Sequence, residues 1–329
     1  MLDIARLNRI RFTNRPLLHR LVGATMLTAN YTVPPKVSIV FEGVDRLPDH
    51  PVIFAMNHTD RFNYMPFQYR LWRTHERFTA TWVKGKYFEH PAMAWFMEKT
   101  HQLPTVSRGY IIARDMVDTL GRKPTSTEYQ ALRALVDGEV APSGSPRKAP
   151  PTLLSQPRTI LGRPFDPCGE TYGAAIRATF LEMMQRFTEL NTQAHRVGLD
   201  IVIFPQGTRS IRLSQGHMGL AQMALHLGAT VVPIGCNGSD RLYPGDLPWA
   251  RPGRVVYRFG EPITPEQMAP FRPDTPFQPF LPSDEERYRD RFQALVNEVM
   301  DRINTLLDPP YQYSSDLVSD GAQGTSRFL

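Results

Sequence analysis

The chain has few cysteines, few lysines and no long apolar run. Cys168 and Cys236 are the only cysteines among 329 residues, too few for a disulfide framework or a Cys-rich metal site. The longest span without Asp, Glu, Lys or Arg runs from Leu213 to Ser239, but Gln215, His217, Gln222, His226, Gly228, Pro233 and Asn237 break it up, so no transmembrane helix is expected. The opening MLDIARLNRIRF lacks the apolar core of a signal peptide. The expectation is a cytoplasmic protein, soluble or peripheral on the inner face of the cell membrane. No spacing of His, Cys and acidic residues matches a metal-site pattern, and no metal or cofactor is expected. No nucleic-acid module accompanies the basic charge, and Trp72, Trp82, Trp95 and Trp249 are too scattered to form a stacking stripe, so nucleic acid is excluded as a partner. No internal repeat of solenoid length appears.

What is present is an apolar fraction of 41%, enough to bury a core, together with 30 prolines and a net charge of +6. Of the 38 basic residues only six are Lys. The planar guanidinium fork suits phosphate, so the excess of positive charge favours an anionic partner. Residues 4–41 contain no acid but carry Arg6, Arg9, Arg11, Arg15, Arg20 and Lys36. Within them Leu17, Leu18, Leu21, Val22 and Met26 recur at helical spacing after Pro16, a good first-turn residue. Such a basic amphipathic segment, residues 1–36, suits either an anionic membrane surface or packing on the core with a solvated basic face.

From Val37 onward the pattern is α/β. KVSIVFEG, HPVIFAMNH, DIVIFPQG, ATVVPIG and GRVVYRFG read as short buried strands. Helical patterns fall at 65–74, 89–100, 174–197, 216–227 and 284–307. The alternation predicts one α/β domain over 37–307 with a central mixed sheet flanked by helices. Residues 141–170 hold seven prolines and read as an irregular insertion, bounded at about 114–172. The run Pro262 to Pro282 reads as an extended surface arm, and residues 308–329 as a frayed tail.

Two strand ends carry candidate chemistry. After the strand at 52–56 comes Asn57-His58-Thr59-Asp60-Arg61-Phe62-Asn63; a His at the carboxyl end of a strand lies where α/β sheets bind ligands, and imidazole suits proton transfer near neutral pH. After the strand at 201–203 comes Phe204-Pro205-Gln206-Gly207-Thr208-Arg209-Ser210. Its Pro-x-Gly makes a tight turn, and Thr208, Arg209 and Ser210 offer donors to an oxyanion. The nucleotide P-loop spacing is absent.

With QLPTVSR at 102–108, VVPIG at 231–235 and FGEPI at 259–263, these blocks resemble the glycerophospholipid acyltransferase family, which carries N-H-x-x-x-x-D, an Arg-bearing segment, F-P-E-G-T-R-S and a V-P-[IV] strand in that order. The resemblance covers 37–113 and 173–264. It implies direct acyl transfer from acyl-CoA or acyl-carrier protein to a lysophospholipid or glycerol-phosphate hydroxyl, as in phosphatidate synthesis. His58 would be the base, Arg108 and Arg209 would hold phosphate, and N–H groups around Gly207 would meet the oxyanion. Three departures stand out. Asn63 replaces the motif Asp; its amide can accept from the imidazole but brings no charge and can turn its NH2 inward. Asp60 is the alternative carboxylate for His58. Gln206 replaces the motif Glu, and His217 stands where the family has a Lys. Losing both carboxylates also admits a second reading, a catalytically weakened homologue that binds lipid or acyl thioester.

Overall fold

Strands such as IFAM (53–56) and DIVI (200–203) have almost no polar interruption, which a strand tolerates only where both its faces are covered. In a computed structural model describing residues 1–33, 36–138 and 149–319, that is where they lie. The strands are β1 (Val37–Glu42), β2 (Ile53–Met56), β3 (Thr79–Lys84), β4 (Gln102–Thr105), β5 (Arg158–Ile160), β6 (Arg163–Phe165), β7 (Asp200–Ile203), β8 (Val231–Asn237) and β9 (Gly253–Phe259). Seven of them form one sheet in the order β1-β9-β8-β2-β7-β3-β4, while β5 and β6 pair as a separate hairpin. All neighbours in the sheet are parallel except β8 and β9, which makes it mixed. Every residue of β2, β7 and β8 is buried.

Side chains alternate across the sheet. Ile53, Ala55, Ile201 and Ile203 enter one core, and Phe54, Met56 and Val202 enter the other with Phe67, Tyr257 and Phe259. Helices cover both faces: α1 (Ile4–Arg9), α2 (Leu17–Val22), α3 (Thr28–Thr32), α4 (Tyr64–His75), α5 (Pro91–Lys99), α6 (Arg108–Leu120), α7 (Ser126–Asp137), α8 (Pro151–Ser155), α9 (Tyr172–Arg196), α10 (Gly219–Leu227), α11 (Ser239–Leu242), α12 (Pro282–Arg287) and α13 (Arg289–Thr305). The single helix expected at 284–307 is two, broken at Tyr288.

Three expectations need correction. Of the supposed insertion, residues 114–138 and 149–172 are built into the fold. Thr125 and Glu128 form a capping box at the start of α7, Leu132, Val136 and Leu153 are fully buried, and the buried Asp115 on α6 accepts from Arg158 Nε at 2.8 Å and Nη2 at 2.7 Å. Residues 139–148, with Pro142 and Pro146, lie outside the described residues. The tail is docked over 308–319, where Leu213 N donates to Tyr311 O at 3.0 Å and Ser314 N to Leu213 O at 2.9 Å; residues 320–329 lie outside the described residues. The amino-terminal segment divides: Leu2 and Leu7 are core residues, α2 runs through a π turn (Gly23–Leu27) into α3, and Leu27 and Tyr31 are buried while Leu17 and Leu21 are exposed.

Candidate active site

The carboxyl ends of β2, β7 and β3 meet at the middle of the sheet, and their loops build the site. Asn57 continues the β2–β8 pairing through its side chain: Oδ1 accepts from Cys236 N at 2.7 Å and Nδ2 donates to Cys236 O at 3.0 Å. His58 follows directly. Its N–H donates to Gln206 Oε1 at 3.0 Å, and its C=O accepts from Ser210 N at 2.8 Å. The two motif loops are thus bonded to each other, and Phe204 stacks on the imidazole with ring centroids 4.2 Å apart.

His58 Nδ1 lies 3.2 Å from Asn63 Oδ1. The fully buried Asn63 does not turn its NH2 toward the ring, because Nδ2 donates to Asn57 O at 2.8 Å. Tyr257 also holds Asn63, donating to its carbonyl at 2.6 Å. With a neutral acceptor on Nδ1, no charge opposes desolvation. Burial pushes His58 down to about 3, with the Asn63 hydrogen bond opposing and Arg209 and Lys84 assisting. The ring is therefore neutral at physiological pH, with a proton on Nδ1 and a lone pair on Nε2.

Asp60 does not serve the imidazole. Its Oδ1 accepts from Phe62 N at 2.8 Å and its Oδ2 from Thr59 Oγ1 at 3.0 Å, an Asx-type turn that commits both oxygens to partners other than His58. Burial pushes this carboxyl up to about 6. Gln206 is 2% exposed and sits behind the site; its Nε2 donates to Ser214 Oγ at 3.3 Å and Arg212 O at 3.4 Å. The Gly207 N–H is spent on Phe204 O at 2.9 Å, so it does not serve an oxyanion. Gly207 itself has φ +64, and a Cβ there would lie 2.8 Å from the His217 ring. Arg108 is also elsewhere. It opens α6, after the N-cap Ser107, and donates to Asp137 on α7 at 2.9 Å.

In front of the imidazole opens a cavity of about 180 Å3. Four cations line it, Arg61, Lys84, Lys86 and Arg209, together with Thr208, Tyr64, Trp82 and Tyr87, and no lining residue is acidic. A neighbouring cavity of about 200 Å3 shares Lys84, Lys86, Thr105 and Gly207 and adds His217. Burial, and then Arg61 and Arg209, lower the pKa of Lys86, the mark of cations crowded together. Arg209 and Thr208 stand where the motif placed them, and His217 stands beside Gly207. Lys84 and Lys86 were missed; the available signal was that two of only six lysines flank Gly85.

The chain matches the family model Acyltransferase over residues 38–139. That stretch holds His58, Asn63 and Lys84. Among solved structures, the 1-acyl-sn-glycerophosphate (LPA) acyltransferase PlsC from Thermotoga maritima is similar over 90% of this chain and 78% of its own, at 15% identity and a TM-score of 0.38. No curated protein matches the chain in sequence.

Proposed function

We propose that the protein is an O-acyltransferase that moves a fatty acyl group from the thioester of acyl-CoA or acyl-carrier protein to the hydroxyl of a lysophospholipid or glycerol phosphate. One observation carries this: a neutral imidazole, oriented through Nδ1, faces a cavity walled by four cations and no acid. His58 Nε2 takes the acceptor's hydroxyl proton as that oxygen attacks the thioester carbonyl. The tetrahedral oxyanion collapses, the C–S bond breaks, and the departing sulfur takes the proton back from the imidazolium. Arg209, Lys84 and Lys86 hold the acceptor's phosphate, while Arg61, ion-paired with Asp246 at 3.1 Å, adds positive charge to the same wall. A phosphate seated there also offsets the Arg209 and Lys84 charges that depress His58, so the bound acceptor strengthens its own base.

The test is thiol release from long-chain acyl-CoA with and without lysophosphatidate. Release should depend on acceptor and fall about 10²–10⁴-fold in His58→Ala, the usual contribution of general-base catalysis. With His58 neutral down to about pH 3, the wild-type rate should lack an acid limb near the ordinary histidine value. Absence of release with every lysolipid and both donors sinks the transferase reading. It would favour the second reading, a lipid or acyl-thioester binder, which the uncharged Asn63 beside His58 supports.

The same proposal places the protein peripherally on an anionic membrane. No helix among the described residues is long and apolar enough to cross a bilayer. Leu17 and Leu21 on α2 and Trp95 on α5 are 78%, 58% and 54% exposed. They line one groove with Arg9, Arg11, Arg15 and Lys99, and with Glu98, which pairs with Arg6 and Arg9, an apolar surface with an excess of cations. Flotation with phosphatidylglycerol vesicles should fall at least fivefold on Leu17→Glu/Leu21→Glu, roughly the loss of one kcal/mol. Unchanged flotation would rule this face out.

A further inference from the structure

We infer that positions 63 and 206 are built to take amides, so that Asn63 and Gln206 are positioning residues whose NH2 groups are as necessary as their oxygens. The inference rests on the acyl-transfer reading only where it predicts rates. Each amide does the same double task. Asn63 accepts from His58 Nδ1 and donates to Asn57 O at 2.8 Å. Gln206 accepts from the His58 N–H and donates to Arg212 O and Ser214 Oγ. In both places the amide bridges His58 to a main-chain carbonyl, and a carbonyl can only accept. A carboxylate at either position would set an anionic oxygen against a carbonyl oxygen, and at position 63 it would leave the acceptor of the buried Asn57 unmet.

The surroundings of position 63 do not offer a remedy. Asn57 cannot easily yield, because its side chain is bonded at both ends to Cys236 of the neighbouring strand. The groups that face position 63 are the His58 ring, Met56 Sδ at 3.9 Å, the Cys236 thiol of β8 and the Tyr257 hydroxyl of β9, already committed to the Asn63 carbonyl. None is a fixed cation. Asp60 and Asp240 act on the same Cys236 thiol, so a further carboxylate would add like charge. An aspartate at 63 can reproduce the bond to Asn57 O only when protonated. The site therefore keeps His58 in its Nδ1–H form without a buried counter-ion, and both departures from the family motif serve one arrangement.

The test uses the full chain as Asn63→Asp, Asn63→Ala and Gln206→Glu beside wild type, with three readouts over pH: thermal unfolding, the His58 tautomer by imidazole 15N shifts, and transferase kcat and KM. Asn63→Asp should unfold at lower temperature than wild type at mildly alkaline pH. The gap should close toward acid, where the new carboxyl is protonated and can donate to Asn57 O. Its kcat should fall roughly tenfold at alkaline pH and recover toward acid with KM little changed, the cost of one unmet buried acceptor. Asn63→Ala should lose rate at every pH without that recovery, and its His58 should no longer be held as the Nδ1–H tautomer. Gln206→Glu should shift the same way by less, because the Ser214 hydroxyl can rotate to donate, and it stands in if Asn63→Asp does not fold. Asn63→Asp equal to or better than wild type at alkaline pH, in both unfolding and kcat, would overturn the inference. The unfolding and tautomer readouts need no turnover, so an inactive wild type would sink the transferase reading while these two still decide the amide question.

Discussion

The two ends of β7 handle buried polar groups in opposite ways. At its amino end Asp200 is 1% exposed, yet it is surrounded by donors: Val52 N at 2.9 Å, Arg77 Nε at 2.8 Å, and Arg77 Nη2 on the other oxygen. Arg77 is itself fixed by the carbonyls of Pro48 and His50. Burial raises the pKa of Asp200, and Arg77 pulls it back. At the carboxyl end, Gln206 and the nearby Asn63 meet main-chain carbonyls and no cation. The same fold thus buries a carboxylate where it supplies a guanidinium and N–H groups, and amides where it supplies C=O groups. Side-chain charge follows the donors and acceptors the backbone presents. The cations at the carboxyl end line the cavity in front of His58 instead, with Arg61 also ion-paired to Asp246 at 3.1 Å.

The largest effect should come from breaking the amino-end arrangement. Arg77→Ala strips a buried carboxylate of its cation and should destabilise the fold by about 3–5 kcal/mol, as measured by urea unfolding. The penalty should shrink as pH falls, because the isolated Asp200 can then protonate and need not stay charged in the core. A loss below about 1 kcal/mol, the range of an exposed pair, would mean that Val52 N and solvent suffice for Asp200, and the contrast between the two ends would fail.

How far the sequence could be read depended on how local each determinant was. The runs IFAM, IVI and VVPIG are apolar without a break, so β2, β7 and β8 stood out. By contrast β3 carries Thr79, Thr81 and Lys84 and β4 carries Pro104, and neither was among the expected strands, although β4 lies at the sheet edge, where Pro is tolerated. The α7 helix was hidden by the proline count that follows it, while its cap Thr125-x-x-Glu128 was there to be read. In the site, His58 and Asn63 lie in one short loop, and their pairing was legible. What Asn63 does with its NH2 was not, because that depends on where the Asn57 carbonyl points. Arg108 was misplaced because its partner Asp137 sits on α7, across a helix pair that residue spacing does not reveal. Lys84 and Lys86 went unseen because β3 did.

The smallest effect separates the cations that face the cavity from the one that does not. Lys84 lines both the His58 cavity and its neighbour, whereas Arg108 is held by Asp137. Lys84→Ala should raise KM for a phosphate-bearing acceptor about tenfold, since a charge-assisted hydrogen bond contributes roughly 1.5–3 kcal/mol. KM for the acyl donor should change less. Arg108→Ala should leave acceptor KM within about twofold and cost at most ~1 kcal/mol of stability, as for a partly exposed ion pair. The reverse result, acceptor binding lost with Arg108 and kept without Lys84, would mean that Arg108 leaves Asp137 to meet the phosphate. The donor-rich end of the molecule would then be assembled by its ligand and not held ready for it, unlike the closed arrangement around Asp200.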